Sequence, residues 1–119
     1  MQQEFRGNMI WAILPDGSKT ESLLNNLYEA DFNLNDVSVI IQDILLRNKI
    51  AKDLGPLKGV GLNDLEKSLI KFGLSKEDAA GCHQAVIDGK VLVVMSVNEK
   101  IAPVALEMFQ DYSAKLIKG

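Results

Sequence analysis

Met9-Ile10-Trp11-Ala12-Ile13-Leu14, stopped by Pro15-Asp16-Gly17, decides the fold class. Six apolar residues closed by a proline–aspartate–glycine turn are too short for a helix of ordinary length. They suit a strand buried on both faces. Two further runs share this character, Val37-Ser38-Val39-Ile40-Ile41 and Val91-Leu92-Val93-Val94-Met95-Ser96-Val97. All three are rich in β-branched residues, which fit a pleated surface.

Helical patterns occupy the intervals. Ser18 with Glu21 has the spacing of a capping box, and Leu23, Leu24 and Leu27 follow as an apolar stripe. Asn63 with Glu66 gives a second candidate start, ahead of Leu65, Leu69 and Ile70, and Gly73 gives a stop. Ser75 with Asp78 gives a third, ahead of Ala79, Cys82 and Val86, and Asp88-Gly89 ends that helix. A last helix is expected to begin near Pro103, with Ala105, Met108, Phe109, Tyr112 and Leu116 at spacings of three and four. Between Asp43 and Leu62, Leu45, Leu46, Ile50 and Leu54 have helical spacing, and Gly55–Gly61 follows as a loop.

The expected fold is therefore α/β (an α+β sandwich). It has a small three-stranded sheet, opened by a β-α-β unit and covered by four to five helices. A strand–helix–strand start normally makes a right-handed crossover between parallel strands. A sheet this small has exposed edges, which proteins cover or pair with another chain.

The chain has 119 residues, 47% hydrophobic and 24% charged, with a net charge of -3. That is the size and balance of one globular domain, expected over residues 8–119, with Met1–Gly7 as a flexible tail. The charge lacks the basic excess of a nucleic-acid binder. No apolar run approaches the ~18 residues of a membrane span. One cysteine, Cys82, excludes an internal disulfide, and with one histidine, His83, it makes a poor zinc set. Neither metal nor cofactor is expected.

One stretch carries a resemblance. Phe72-Gly73-Leu74-Ser75-Lys76-Glu77-Asp78-Ala79 precedes a short helix and then Gly89-Lys90-Val91-Leu92-Val93-Val94. With the opening strand, helix and Asp36–Ile40, this resembles bacterial general-stress or heat-induced stress domains of the YflT-like type, over roughly residues 9–97. Many such domains carry a long glycine-rich apolar insertion. Here Ile44–Leu62, containing Arg47, Lys49, Lys52 and Lys58, stands in its place. The resemblance implies a cytoplasmic, stress-associated role in bacteria, and supplies no catalytic residues.

The residues that invite chemistry have plainer readings. Adjacent helical residues point about 100° apart, so Cys82 and His83 are poorly placed to act as nucleophile and base. Cys82 shares the stripe of Ala79 and Val86, as a small core residue would. Gly55-Pro56-Leu57-Lys58-Gly59-Val60-Gly61 precedes a helix but matches neither phosphate-binding motif in its proper setting, and reads as a linker. Arg47, Lys49, Lys52 and Lys58 read as a solvated basic face. Ligands of open α/β sheets bind at the carboxyl ends of strands, which brings forward Asp16 and Ser18, whose plainer role is a turn and cap. The candidate ligand residues are thus Asp16, Ser18, Lys58, Gly59 and Gly61, with no catalytic or metal set. The expected function is a non-enzymatic module acting by self-association, as a homodimer, or by docking to a protein. The alternative is a small-ligand-binding regulatory domain.

Overall fold

A computed structural model describes residues 9–42, 44–50, 55–58 and 60–117. The expected tail, Leu54, Lys52 and Gly59 lie outside the described residues. The elements, in chain order, are β1 (Met9–Leu14), α1 (Gly17–Glu29), β2 (Val37–Ile40), α2 (Ile44–Ile50), α3 (Leu65–Lys71), α4 (Lys76–Ile87), β3 (Val91–Ser96), α5 (Ala102–Asp111) and β4 (Lys115–Ile117). Single 3-10 turns, Leu34–Asp36 and Leu62–Asp64, lead into β2 and α3.

Among the described residues the sheet has four strands, not three, in the order β2-β3-β1-β4, and every neighbouring pair is antiparallel. The added strand is Lys115–Ile117, which the spacing of Leu116 from Tyr112 had assigned to the last helix. That helix ends at Asp111, and Ser113 turns the chain with φ 64. The opening unit is the expected strand–helix–strand with parallel strands, but the two are not neighbours. β1 and β2 run parallel, since both oppose β3, but β3 lies between them. β3 and β4 likewise flank β1. The result is a double split β-α-β sheet of the ferredoxin-like kind, with α2, α3 and α4 inserted between β2 and β3.

Strand alternation distributes two cores. Ile10, Ala12, Leu14, Val37, Val39, Val91, Val93 and Met95 face α1 and α5, packing on Leu23, Leu24, Leu27, Ala105 and Phe109. Trp11, Ile13, Ile40, Leu92 and Val94 face the opposite way, onto Leu65, Leu69, Ala79, Cys82 and Val86 of α3 and α4. The all-apolar character of β1 and β3 follows from this: each has a helix layer on both sides. Leu46 and Ile50 bring α2 to the α1 side.

The helix starts are only partly those the patterns suggested. Asp16, not Ser18, caps α1: its Oδ1 accepts from the Lys19 N–H at 2.8 Å. The Thr20 hydroxyl also donates to the Asp16 carbonyl. An aspartate one residue before the helix takes this position, leaving Ser18 exposed in the first turn. Asn63 caps nothing, because the chain is already turning through Leu62–Asp64 before α3 begins. Ser75 does cap α4, its Oγ accepting from the Asp78 N–H at 3.1 Å, and α5 begins around Pro103 as expected.

The segment after α2 closes over the start of β2. Leu57 is buried against Trp11 and the α3–α4 layer, and its N–H donates to the buried Ser38 Oγ at 2.7 Å. Gly55, at φ 87, lies so close to Val37 that a β-carbon there would meet its carbonyl at 2.3 Å.

Candidate functional site

Asp16, Ser18 and Lys58 do not form one site. Asp16 and Ser18 follow Leu14, at the end of the sheet where Ile40 pairs with Leu92. The Gly55–Leu57 turn is anchored at the other end of β2, on Val37 and Ser38. Lys58 is exposed, Gly61 stands in open space, and Gly59 lies outside the described residues. Of the basic stretch, Lys49 is exposed like Lys58, while Lys52 and the Arg47 side chain lie outside the described residues.

The strand end after β1 nonetheless borders a cleft of about 370 Å³. Ile13, Leu14 and Pro15 line it at the end of β1. One wall is α4, through Gly81, Gln84, Ala85 and Asp88, and the chain leaving α4 adds Lys90. The entry to β4 contributes Ser113 and Lys115. Clefts of roughly 300–1,000 Å³ are of the size that takes small molecules. Lys115 pairs with Ile13, so the two side chains share the sheet face that carries α4. The Gln84 amide donates to the Asp88 Oδ1 at 3.0 Å. Neither Lys90 nor Lys115 makes an ion pair among the described residues.

Cys82 and His83 are divided by the helix. The thiol is fully buried in the α3–α4 core. His83 points to α3, where its Nδ1 lies 2.7 Å from the Glu66 Oε2. This polar contact ties the two helices together and engages the imidazole away from the thiol. Burial pushes the Cys82 thiol up to about 11, the Asp78 charge adds to this, and the Lys115 ammonium pulls partly back. Cys82 is accordingly a protonated, inert thiol at neutral pH.

A stability consequence follows. The unfolded thiol ionises at an ordinary 9.0 and the folded one at about 11, so the folded state holds the extra proton between these values. Stability is fully present below pH 9 and falls as pH rises towards 11, by about 2 kcal/mol. Denaturant unfolding at pH 8 and pH 10.5 should show a loss in the native chain larger than in Cys82→Ala. Equal losses in both would remove Cys82 as the cause.

Among the described residues, no three His, Cys, Asp or Glu side chains gather to hold a metal ion, and no helix is long and apolar enough to cross a membrane. The residues that sequence reasoning missed are Gly81, Lys90, Ser113 and Lys115, which meet only through the sheet order. One signal was available: Gly81 stands in the middle of a helix, where glycine costs about 1 kcal/mol against alanine. A β-carbon on Gly81 would meet nothing within 4 Å, so packing does not require the glycine. No protein-family model, no curated protein and no solved structure matches this chain.

Proposed function

We propose that the chain is a non-enzymatic interaction module whose partner is a second copy of itself, joined through the outer edge of β4. The observation that carries this is the asymmetry of the sheet edges. The start of β2 is held under the Gly55–Leu57 turn, whereas among the described residues no further strand lies beside β4. An open edge is a row of unpaired N–H and C=O groups, ready to pair with another chain. In an antiparallel pairing centred on Leu116, Lys115 would face Ile117 of the second copy, so the lysines would not oppose each other. Beside this strand a small apolar recess, lined by Met9, Val97, Ala102, Leu106 and Ile117, would extend the contact. The resemblance of Phe72–Val94 to bacterial general-stress domains supports a cytoplasmic, stress-associated setting.

Native mass spectrometry across a concentration series tests this reading. A dimer that Ile117→Lys weakens by roughly tenfold or more, with folding retained, is the expected result, because edge charges oppose strand pairing. A monomer at every concentration, or a dimer indifferent to Ile117→Lys, overturns it.

A second reading, a small-ligand-binding regulatory domain, is favoured by the cleft between α4 and the β1–β4 strand ends. It keeps the strand-end location expected for Asp16 and Ser18, but relies on different residues.

A further inference from the structure

We infer that the cleft bordered by α4, the end of β1 and the entry to β4 binds a small organic anion, a carboxylate on an apolar body. Lys90 and Lys115 would take the charge, and Ile13, Pro15 and Ala85 the body. This rests on the second reading above and adds to it the chemistry of the ligand.

Charge is the first support. The chain carries -3 overall, yet this cleft gathers two ammonium groups against one carboxylate, Asp88. That carboxylate already accepts from Gln84, while neither lysine has an ion-pair partner among the described residues. Lys115 sits near enough to α4 for its charge to be felt at the Cys82 thiol on that helix. Its pairing with Ile13 sets it on the sheet face that carries α4, and it lines the cleft. Two cations facing a part-apolar recess attract an anion more strongly than open water would allow.

The second support is independent of charge. Two residues lining the cleft break local rules at a cost to stability. Gly81 weakens the middle of α4 without any packing need for a missing side chain. Ser113 adopts φ 64 just after α5, where glycine would be the unstrained choice. Asp31 is the other non-glycine residue with positive φ among the described residues, and it lies elsewhere. Residues that oppose the fold's own preferences concentrate at functional sites. Gly81 lines the cleft, and a β-carbon there would stand in open space.

The test uses the full chain, ¹⁵N-labelled, with three probes: hexanoate, its neutral counterpart hexanamide, and inorganic phosphate. Hexanoate is expected to shift the amides of Gly81, Ala85, Ser113 and Lys115, with a dissociation constant of the order of millimolar for so small a ligand. Hexanamide and phosphate should bind roughly tenfold more weakly, each lacking one half of the recognition. The Lys90→Gln/Lys115→Gln double variant should lose roughly tenfold in hexanoate affinity, and Gly81→Leu should lose as much by filling the cleft. Gly81→Ala should raise the melting temperature by about 4 °C. Hexanamide binding as well as hexanoate would overturn the anion while keeping a ligand cleft. Phosphate binding as well as hexanoate would overturn the apolar body. Silence of the cleft amides to all three probes would overturn the anion and the ligand-binding reading together, and a Gly81→Ala chain less stable than its parent would overturn the argument from Gly81.

Discussion

Phe109→Ala is expected to destabilise the domain by about 3–5 kcal/mol, the usual cost of emptying a buried phenylalanine site. Phe109 is fully buried on α5, in the core shared with Leu23, Leu24 and Leu27 of α1 and with β1 and β3. A domain of this size is commonly stable by only about 5–15 kcal/mol, so this single truncation removes a large part of the margin. The measurement has a built-in reporter. Trp11 is the chain's one tryptophan and is buried on the opposite face of the sheet, against the α3–α4 layer. If the two helix layers unfold as one unit, guanidinium titration followed by Trp11 fluorescence will show the midpoint falling with an unchanged slope. A Trp11 transition unmoved by Phe109→Ala would mean that the layers melt separately.

Gly55→Ala should cost about 3–5 kcal/mol. At φ 87 any L-residue is strained by about 1–2 kcal/mol. The new methyl would also lie 2.3 Å from the Val37 carbonyl and 2.5 Å from the Ser38 Oγ, far inside contact distance. Backbone cannot yield as a flexible side chain can, so the turn must lift. Lifting it breaks the Leu57 N–H bond to Ser38, leaves a buried hydroxyl without that donor, and unseats Leu57. Gly61→Ala is the control: it has an ordinary backbone and open space around it, and should change stability by less than about 0.5 kcal/mol. Comparable losses for the two variants in thermal or denaturant unfolding would refute the account of the turn.

The elements that local pattern can specify were legible in the chain. Met9–Leu14 and Val91–Ser96 are apolar at both alternations because each is sandwiched, and that is written in consecutive residues. Ser75 and Pro103 mark helix starts by chemistry that acts over three or four residues. What failed was what depends on distant partners. Lys115-Leu116-Ile117 is a strand because Ile13, Ala12 and Trp11 lie beside it, and three residues carry too little periodicity to say so. Leu116 falls four residues after Tyr112, so the helical stripe seemed to run on, and no glycine or proline marks the turn at Ser113. The insertion of β3 between β1 and β2 is likewise a matter of pairing across the whole chain. The cleft inherits this difficulty. Its residues come from three separated stretches, 13–15, 81–90 and 113–115. The candidate ligand residues Asp16 and Ser18 fell beside it because strand ends are a general feature of such sheets, whereas Lys58 and Gly61 belong to the far end of β2 and its following loop.

The strand order has a consequence for how the chain is made. Of the described strands β1 leaves the ribosome first, yet its neighbours are β3 and β4, the last two of the four. Met9–Leu14 therefore emerges as a bare apolar segment whose hydrogen-bonding partners do not yet exist. The α1 and α3–α4 layers that will cover it have no completed sheet to rest on. A nascent chain halted before Val91 leaves β1 unpaired by either of its sheet neighbours, and closing the sheet means bringing residues 11 and 117 together. Such far-reaching closure makes folding slow and a late event. A chain cut short before Val91 should therefore aggregate rather than fold to a shortened domain, which sedimentation of the truncated protein checks.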